Sequence, residues 1–489
     1  MKQLIYLILL FPSLISAQGV DNLWRMGYEN FSGPPLGGVN IDFNSGAPVI
    51  SYHLRVINYD AISATICDTT GRMLFTTNGV YIVNSNEDTM MNGSGLSPSY
   101  FTTSVADYGS YIPQAALIIP FPNDPQKYYL FHNTIDDSVA YSYKMYYSII
   151  DMTLDGGLGA VTSKNNILKN DTLIPGGLTA TRHGNGRDWW IVFHQAFTNL
   201  YYVYLIDPLG IHPYPSQQIG VNISFDAGQF CFSPDGSKLA QYGPYNDLDI
   251  MDFDRCSGIL SNSIHVSIND SAAGGGVAFS LNSQVLYASS TSYIYQFDLN
   301  AANVASSKTT VAIWDTTYSP SPPFATTFYL AQLAPDGKIY LSCTNSTLDL
   351  HRIEYPDSLG LACQVCQHCV HLPAYNAYTI PNMPNYHLGP LDFSICDTIT
   401  TTVHATEGKN QFDLFPNPAR NKIYISTSKN NLPEHFSIYN MMGEQMSMNS
   451  NAINNGEYLE VDLSSLAPGI YIVEEIMNGE KFLKKLVKE

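Results

Sequence analysis

The stretch FCFSPDGSKLAQYG, residues 230–243, decides how the rest of the chain is read, because its pattern returns. It comes back as VAFSLNSQVLYASS (277–290) and as LAQLAPDGKIYLSC (330–343). In the first copy, Phe230 to Phe232 is a short apolar run suited to an inner strand. Ser233-Pro234-Asp235-Gly236 then makes a tight turn, since Pro presets φ, Asp bonds its own backbone and Gly takes positive φ. Lys238 to Tyr242 resumes as a second strand, and in DLDIMDFD (247–254) apolar residues alternate with Asp, giving one wet and one dry face. The unit is strand, turn, strand, loop, strand.

Working outward, YIYQFDL (293–299) and LDLHRIEY (348–355) supply the third strand of the two later copies. Earlier, more divergent copies are ATICDTTGRMLFTTNGVYIV (64–83), AALIIPFPNDPQKYYLFHN (115–133) and LTATRHGNGRDWWIVFHQ (178–195). Second strands start near residues 72, 127, 188, 237, 283 and 337, so the repeat steps run from 46 to 61 residues. A small sheet of this size cannot bury both faces alone, whereas sheets arranged radially bury them against each other and leave no long bare edge. The expected fold is all-β: a single β-propeller over 18–396, with seven blades favoured and six or eight left open. LGGVNIDFNSGAPVI (36–50) and PNMPNYHLGPLDFS (381–394) are leftover ends expected to meet in the seventh blade.

Composition agrees. Aromatic residues reach 12% and charged residues only 13%, and 35 Gly with 28 Pro supply many turns, a strand-rich balance. The net charge of −19 argues against nucleic acid, which needs a basic stripe. At the N-terminus, Lys2 precedes the apolar run Leu4–Ile15, which is too short to span a bilayer and is broken by Pro12. Residues 1–17 are therefore read as a signal peptide, with Gln18 as the mature N-terminus; no later segment could span a bilayer.

Export favours disulfides among eight Cys. Cys231 and Cys256 flank one repeat and could bridge within it, and Cys343, Cys363, Cys366, Cys369 and Cys396 are the remaining candidates. LACQVCQHCVHL, with His368 and His371, resembles a metal site, but no second paired element follows at zinc spacing.

The phrases DTTGRMLFTTNGVYI, TRHGNGRDWW, FCFSPDGSKLA, LAPDGKIYLS and PNMPNYHLGPL resemble the WD-repeat-like propellers of secreted Bacteroidota proteins. That resemblance implies a fold and no activity. After Cys396 the texture changes. The Thr-rich stretch 397–410 reads as a linker, and 411–489 alternates in short strands that make a small Ig-like β-sandwich. Its landmarks are Phe415-Pro416-Asn417-Pro418, Met442-Gly443, Pro468-Gly469-Ile470-Tyr471 and Lys484-Lys485. In that order they closely resemble the type A C-terminal sorting domain of the type IX secretion system. The resemblance implies recognition by an outer-membrane translocon after export to the periplasm, then release or attachment at the cell surface.

Catalytic signals are weak. Arg182, His183 and Asp188 surround a Gly-Asn-Gly turn; His with a carboxylate can move protons, yet the spacing suits a polar hairpin at least as well, and no nucleophile elbow exists. DLDIMDFD lacks the loop spacing of a calcium hand; calcium on the axis stays open, with no ligands assigned and no other cofactor expected. YSYKMYYS (141–148) suits sugar stacking or strand core. The leading reading is a secreted or surface propeller that binds a glycan, peptide or partner protein. The alternatives are a polymer-degrading hydrolase or lyase, and a purely adhesive role.

Overall fold

The computed structural model describes residues 19–396 except 30, 32, 137–140, 225–227, 273, 392–393 and 395; beyond them it describes 412–427, 435–440, 445–446, 453–454, 459–477 and 480–488. The apolar N-terminal run, the 397–410 stretch and Gly443 lie outside these residues. The chain forms two compact units, Met1–Ile399 and Thr400–Glu489.

The repeated turn is the same object in five places. Gly71, Gly186, Gly236, Gly337 and Ser283 all take positive φ, between 60° and 82°. Their N–H groups donate to the carbonyls of Asp68, His183, Ser233, Ala334 and Ser280 at 2.8–3.0 Å. Ser283 adopts a conformation that favours glycine, and its hydroxyl is used: it accepts from the Asp235 N–H of the preceding turn at 3.1 Å.

Each turn joins the first two strands of an antiparallel sheet. Among the described residues seven such sheets, numbered here as blades 1 to 7, follow one another, spanning 23–53, 64–84, 116–173, 179–223, 229–266, 275–313 and 328–376. Period-two alternation sends neighbouring residues of one strand into different cores. Val277 and Phe279 of blade 6 pack with Ala240, Tyr242 and Ile250 of blade 5. Ala278, between them, packs with Phe328, Ile339 and Leu341 of blade 7. Blades 4 and 5 share a third core through Trp190, Val192, Phe230 and Leu239. Sheets that each feed two neighbouring cores are stacked round an axis, and the unit is a seven-bladed β-propeller. Burial falls outward: the inner strand Gly275–Phe279 is wholly buried, whereas the outer strand Thr309–Ile313 is largely exposed.

Closure differs from the sequence expectation. Residues 36–50 belong to blade 1, whose strands Leu23–Gly27, Gly38–Asp42 and Val49–His53 form a sheet on their own. Blade 7 meets it directly: Trp24 and Phe43 pack edge-on against Tyr340 at 5.6 and 5.9 Å, and the Tyr375 N–H donates to the Pro35 carbonyl. The described part of 381–394 forms no strand. It descends the axis instead, because its prolines and amides suit side-chain bonding better than a ladder. The Asn382 N–H donates to the Ser63 carbonyl, and its side chain donates to the carbonyls of Ala116 and Leu178. The Tyr386 hydroxyl donates to the Ile118 carbonyl, and the Asn385 amide to that of Pro234. The Leu391 N–H reaches the Gly184 carbonyl, and a Cys256–Cys396 disulfide fastens the end to blade 5.

The second unit is a two-layer β-sandwich of a four-stranded and a three-stranded sheet. Ile423, Ile425 and Val461 of one layer meet Ile438, Val473 and Leu486 of the other.

Candidate functional site

Inner strands that fan out from an axis cannot all pair, so their polar gaps are closed by amide side chains. Gln229 of blade 5 accepts from the Val277 and Ala331 N–H groups and donates to the Ala331 carbonyl, tying blades 5, 6 and 7. Gln114 donates to the Phe230 carbonyl and to Asn382, and accepts from the Phe230 N–H. Between these inner strands and the descending segment lies a cavity of about 270 Å³. Trp24, Phe230, Phe232, Phe279, Leu281 and Met383 provide its apolar wall; Gln114, Gln229, Gln332, Asn382 and Asn385 provide its amides. Its mouth lies where the inner strands end, at the exposed Leu281 and Pro335.

Two charged groups line it, and they are paired: Asp21 and His387 meet at 2.8 Å. The hydrogen bond to Asp21 raises the His387 imidazole above its usual range. The Cys231 thiol, also on the wall, is pushed up to about 12 by burial, which keeps it un-ionised at neutral pH.

Sequence inspection did not single out this set. A signal was present: Gln229 and Gln332 place an amide inside the otherwise apolar inner-strand phrase of two repeats.

The hairpin candidates lie elsewhere. His183 Nδ1 accepts from the Asn185 N–H, so Nε2 donates to the Cys256 carbonyl at 3.1 Å. Asp188 is held by Asn185 and by a two-point contact with Arg187. Arg182 lies over the Trp189 ring at 3.9 Å and donates to the Arg187 carbonyl. The His183 N–H donates to the Asp188 carbonyl at 2.8 Å, but among the described residues the imidazole and the carboxylate do not meet, so the arrangement is a braced hairpin. His132 bridges Ser97 and Ser148, and burial holds it down to about 3. His194 is buried and likewise lowered to about 3, and His265 bonds Asp249. In YSYKMYYS, Met145 and Tyr146 are buried whereas Tyr143 is exposed.

Cys256 pairs with Cys396, not with Cys231, and Cys366 pairs with Cys369; Cys231, Cys343 and Cys363 are free thiols. Among the described residues, Glu354, Cys366 and Cys369 are the one trio of metal-ligand type whose atoms lie within 4.8 Å. The two thiols are joined, and Glu354 is occupied by Lys338 and Arg352. His368 and His371 bond Asp315 and Asp349 instead. In DLDIMDFD, Asp249 faces His265, Asp252 holds Lys238, and Asp254 accepts from Cys256 and Ser257.

In the C-terminal unit, sorting landmarks far apart in sequence converge. Asn417 donates to the Lys485 carbonyl and accepts from the Val487 N–H, while Gly469 pairs with Lys488. Tyr471 is buried and donates to the Ala467 carbonyl; Phe415 is exposed.

Residues 413–489 match the secretion system C-terminal sorting domain family. The chain carries a type IX sorting tail, which directs export across the outer membrane to the medium or the cell surface. No described helix is long and apolar enough to cross a membrane. A search of curated proteins gives no match. Among solved structures, the chain is similar to a putative 6-phosphogluconolactonase from Bacteroides fragilis, at 12% identity and TM-score 0.43, covering 72% of this chain and 96% of that one. Another from Bacteroides uniformis gives 11% identity and TM-score 0.45, with 73% and 98% covered. The Swd1 β-propeller domain of Myceliophteria thermophila gives 10% and 0.37, with 66% and 93% covered. Likeness this distant transfers no chemistry.

Proposed function

We propose that this exported propeller is a binding protein whose ligand, a glycan or a peptide, enters the mouth of the axial cavity. One observation carries the reading: the cavity is walled by aromatics and amides, the lining expected of a recognition site. Aromatic faces with hydrogen-bonding amides suit sugar rings and peptide groups alike. The test is a glycan and peptide array probed with the full chain and with Leu281→Trp. Leu281 lines the mouth and is 56% exposed, so a larger side chain there is accommodated by the fold while narrowing the entrance. Array signals that fall in the variant support the proposal, and signals unchanged by it place binding elsewhere.

A hydrolytic reading has one observation in its favour, the Asp21–His387 pair on the cavity lining. A His backed by a carboxylate can serve as a general base. Its raised pKa leaves less of the neutral imidazole that a base requires. Turnover in a broad hydrolase screen, abolished in His387→Ala, would decide for hydrolysis.

A further inference from the structure

We propose that the other end of the ring carries a second site, one for an alkylammonium group, formed by Asp60 with Tyr28, Tyr111 and Tyr378. This end is where inner strands begin: Asp60 precedes Ala64–Cys67, and Tyr111 precedes Ala116–Phe121. Backbone hydrogen bonds draw the pieces together. The Tyr59 N–H donates to the Gly27 carbonyl, the Ala61 N–H to that of Ser110, and the Tyr378 N–H to that of Asp60. Each tyrosine is thus bonded to residues 59–61 or adjacent to a residue that is.

Asp60 is only 9% exposed, and its Oδ1 is buried without any hydrogen-bond partner among the described residues. A buried carboxylate oxygen left bare is costly, so it marks a place where a missing cation belongs. The phenols of Tyr28, Tyr111 and Tyr378 are near enough to feel the charge of Asp60, and the Tyr28 hydroxyl is itself bonded to Ser346 at 2.6 Å. Tyr111 and Tyr378 are 44% and 37% exposed and leave the site open to solvent. Among the described residues no cation pairs with it. Arg55 lies over the Tyr59 ring and donates to the carbonyls of Met26 and Val39, without pairing with Asp60. The backbones of Glu29 and Asp107 bond the Asn58 side chain on either side, two residues before Asp60.

One carboxylate among phenols does not make a divalent-metal cage, which needs six or more oxygens with several carboxylates. It does suit an ammonium head, held by an ion pair and by aromatic faces. Burial pushes Asp60 up to about 7, so the anion that attracts the ammonium is present above neutrality and lost below it.

The test is calorimetric titration of the full chain with n-butylammonium, with 1-butanol as the neutral isostere and calcium chloride as the metal arm. Binding of n-butylammonium is expected to be at least ~10-fold tighter at pH 8.5 than at pH 5.5. Asp60→Asn is expected to weaken it at least ~10-fold, and Tyr378→Leu about 3- to 10-fold. N-acetyl-lysine methylamide and glucosamine then separate a peptide source of the ammonium from a sugar source. Equal binding by 1-butanol, n-butylammonium binding unmoved by pH or by Asp60→Asn, or Asp60-dependent binding of calcium alone would each overturn the proposal.

Discussion

Glu87 sits between two side chains supplied by blade 1, the Arg25 guanidinium at 2.7 Å and the His53 imidazole at 3.0 Å. Burial opposes its ionisation, but hydrogen bonds from His53 and Arg25 prevail and hold it down to about 2. Arg25 is almost wholly buried, so Glu87→Ala strands a cation in the core. A loss of about 3–5 kcal/mol is expected at pH 7 by urea denaturation. The Glu87 contribution should fade as pH falls from about 4.5 through about 2, where the wild-type carboxylate is itself protonated. Asp60 has the opposite sign. Its folded pKa is raised, so folding favours the protonated form, and stability drains away as pH climbs from 3.8 to about 7. Asp60→Asn should therefore raise stability by about 2–4 kcal/mol above pH 7, with the gain vanishing near pH 4, as read from Tm across a pH series. Neither effect was visible in the sequence, because both depend on partners brought from other elements.

At the scale of elements, the axial segment replaces a closing strand. Asn382 holds it by bonds to Ala116, Leu178 and Gln114, partners that belong to the third and fourth blades or their approach. Asn382→Ala leaves two buried carbonyls bare, and a loss of about 2–4 kcal/mol is expected in chemical denaturation. The Cys256–Cys396 bond closes a span of 140 residues. Cross-links of that length constrain the unfolded chain strongly, so Cys396→Ser should cost about 2–4 kcal/mol, matched by mild reduction of the wild type. The repeated turn was legible because its chemistry is local: Pro, Asp and Gly over four residues suffice. The axial path was not, since PNMPNYHLGPL has no period and its partners lie as far away as residues 63, 116 and 178. The chemistry of that stretch, rich in proline and amides, nevertheless fits the route it takes.

Across the whole molecule, the spacing of repeats carried the fold further than it carried the site. Seven radial sheets could be anticipated from six copies and two leftover ends, although those ends do not combine in the way their texture suggested. The sorting tail was legible outright, because Asn417, Gly469 and the terminal lysine strand are fixed by mutual contacts. The axial cavity was not, because each blade contributes one or two residues and none of them is unusual alone. Residues 377–391, outside any strand, are bonded to the ring along their length, with 379–384 and Tyr386 buried within it. Hydrogen exchange tests this most directly. The Tyr378, Asn382 and Leu391 N–H groups donate to Asp60, Ser63 and Gly184, so they are expected to exchange as slowly as inner-strand amides such as Val277. Exchange at the rate of an exposed linker, with the disulfide intact, would contradict it.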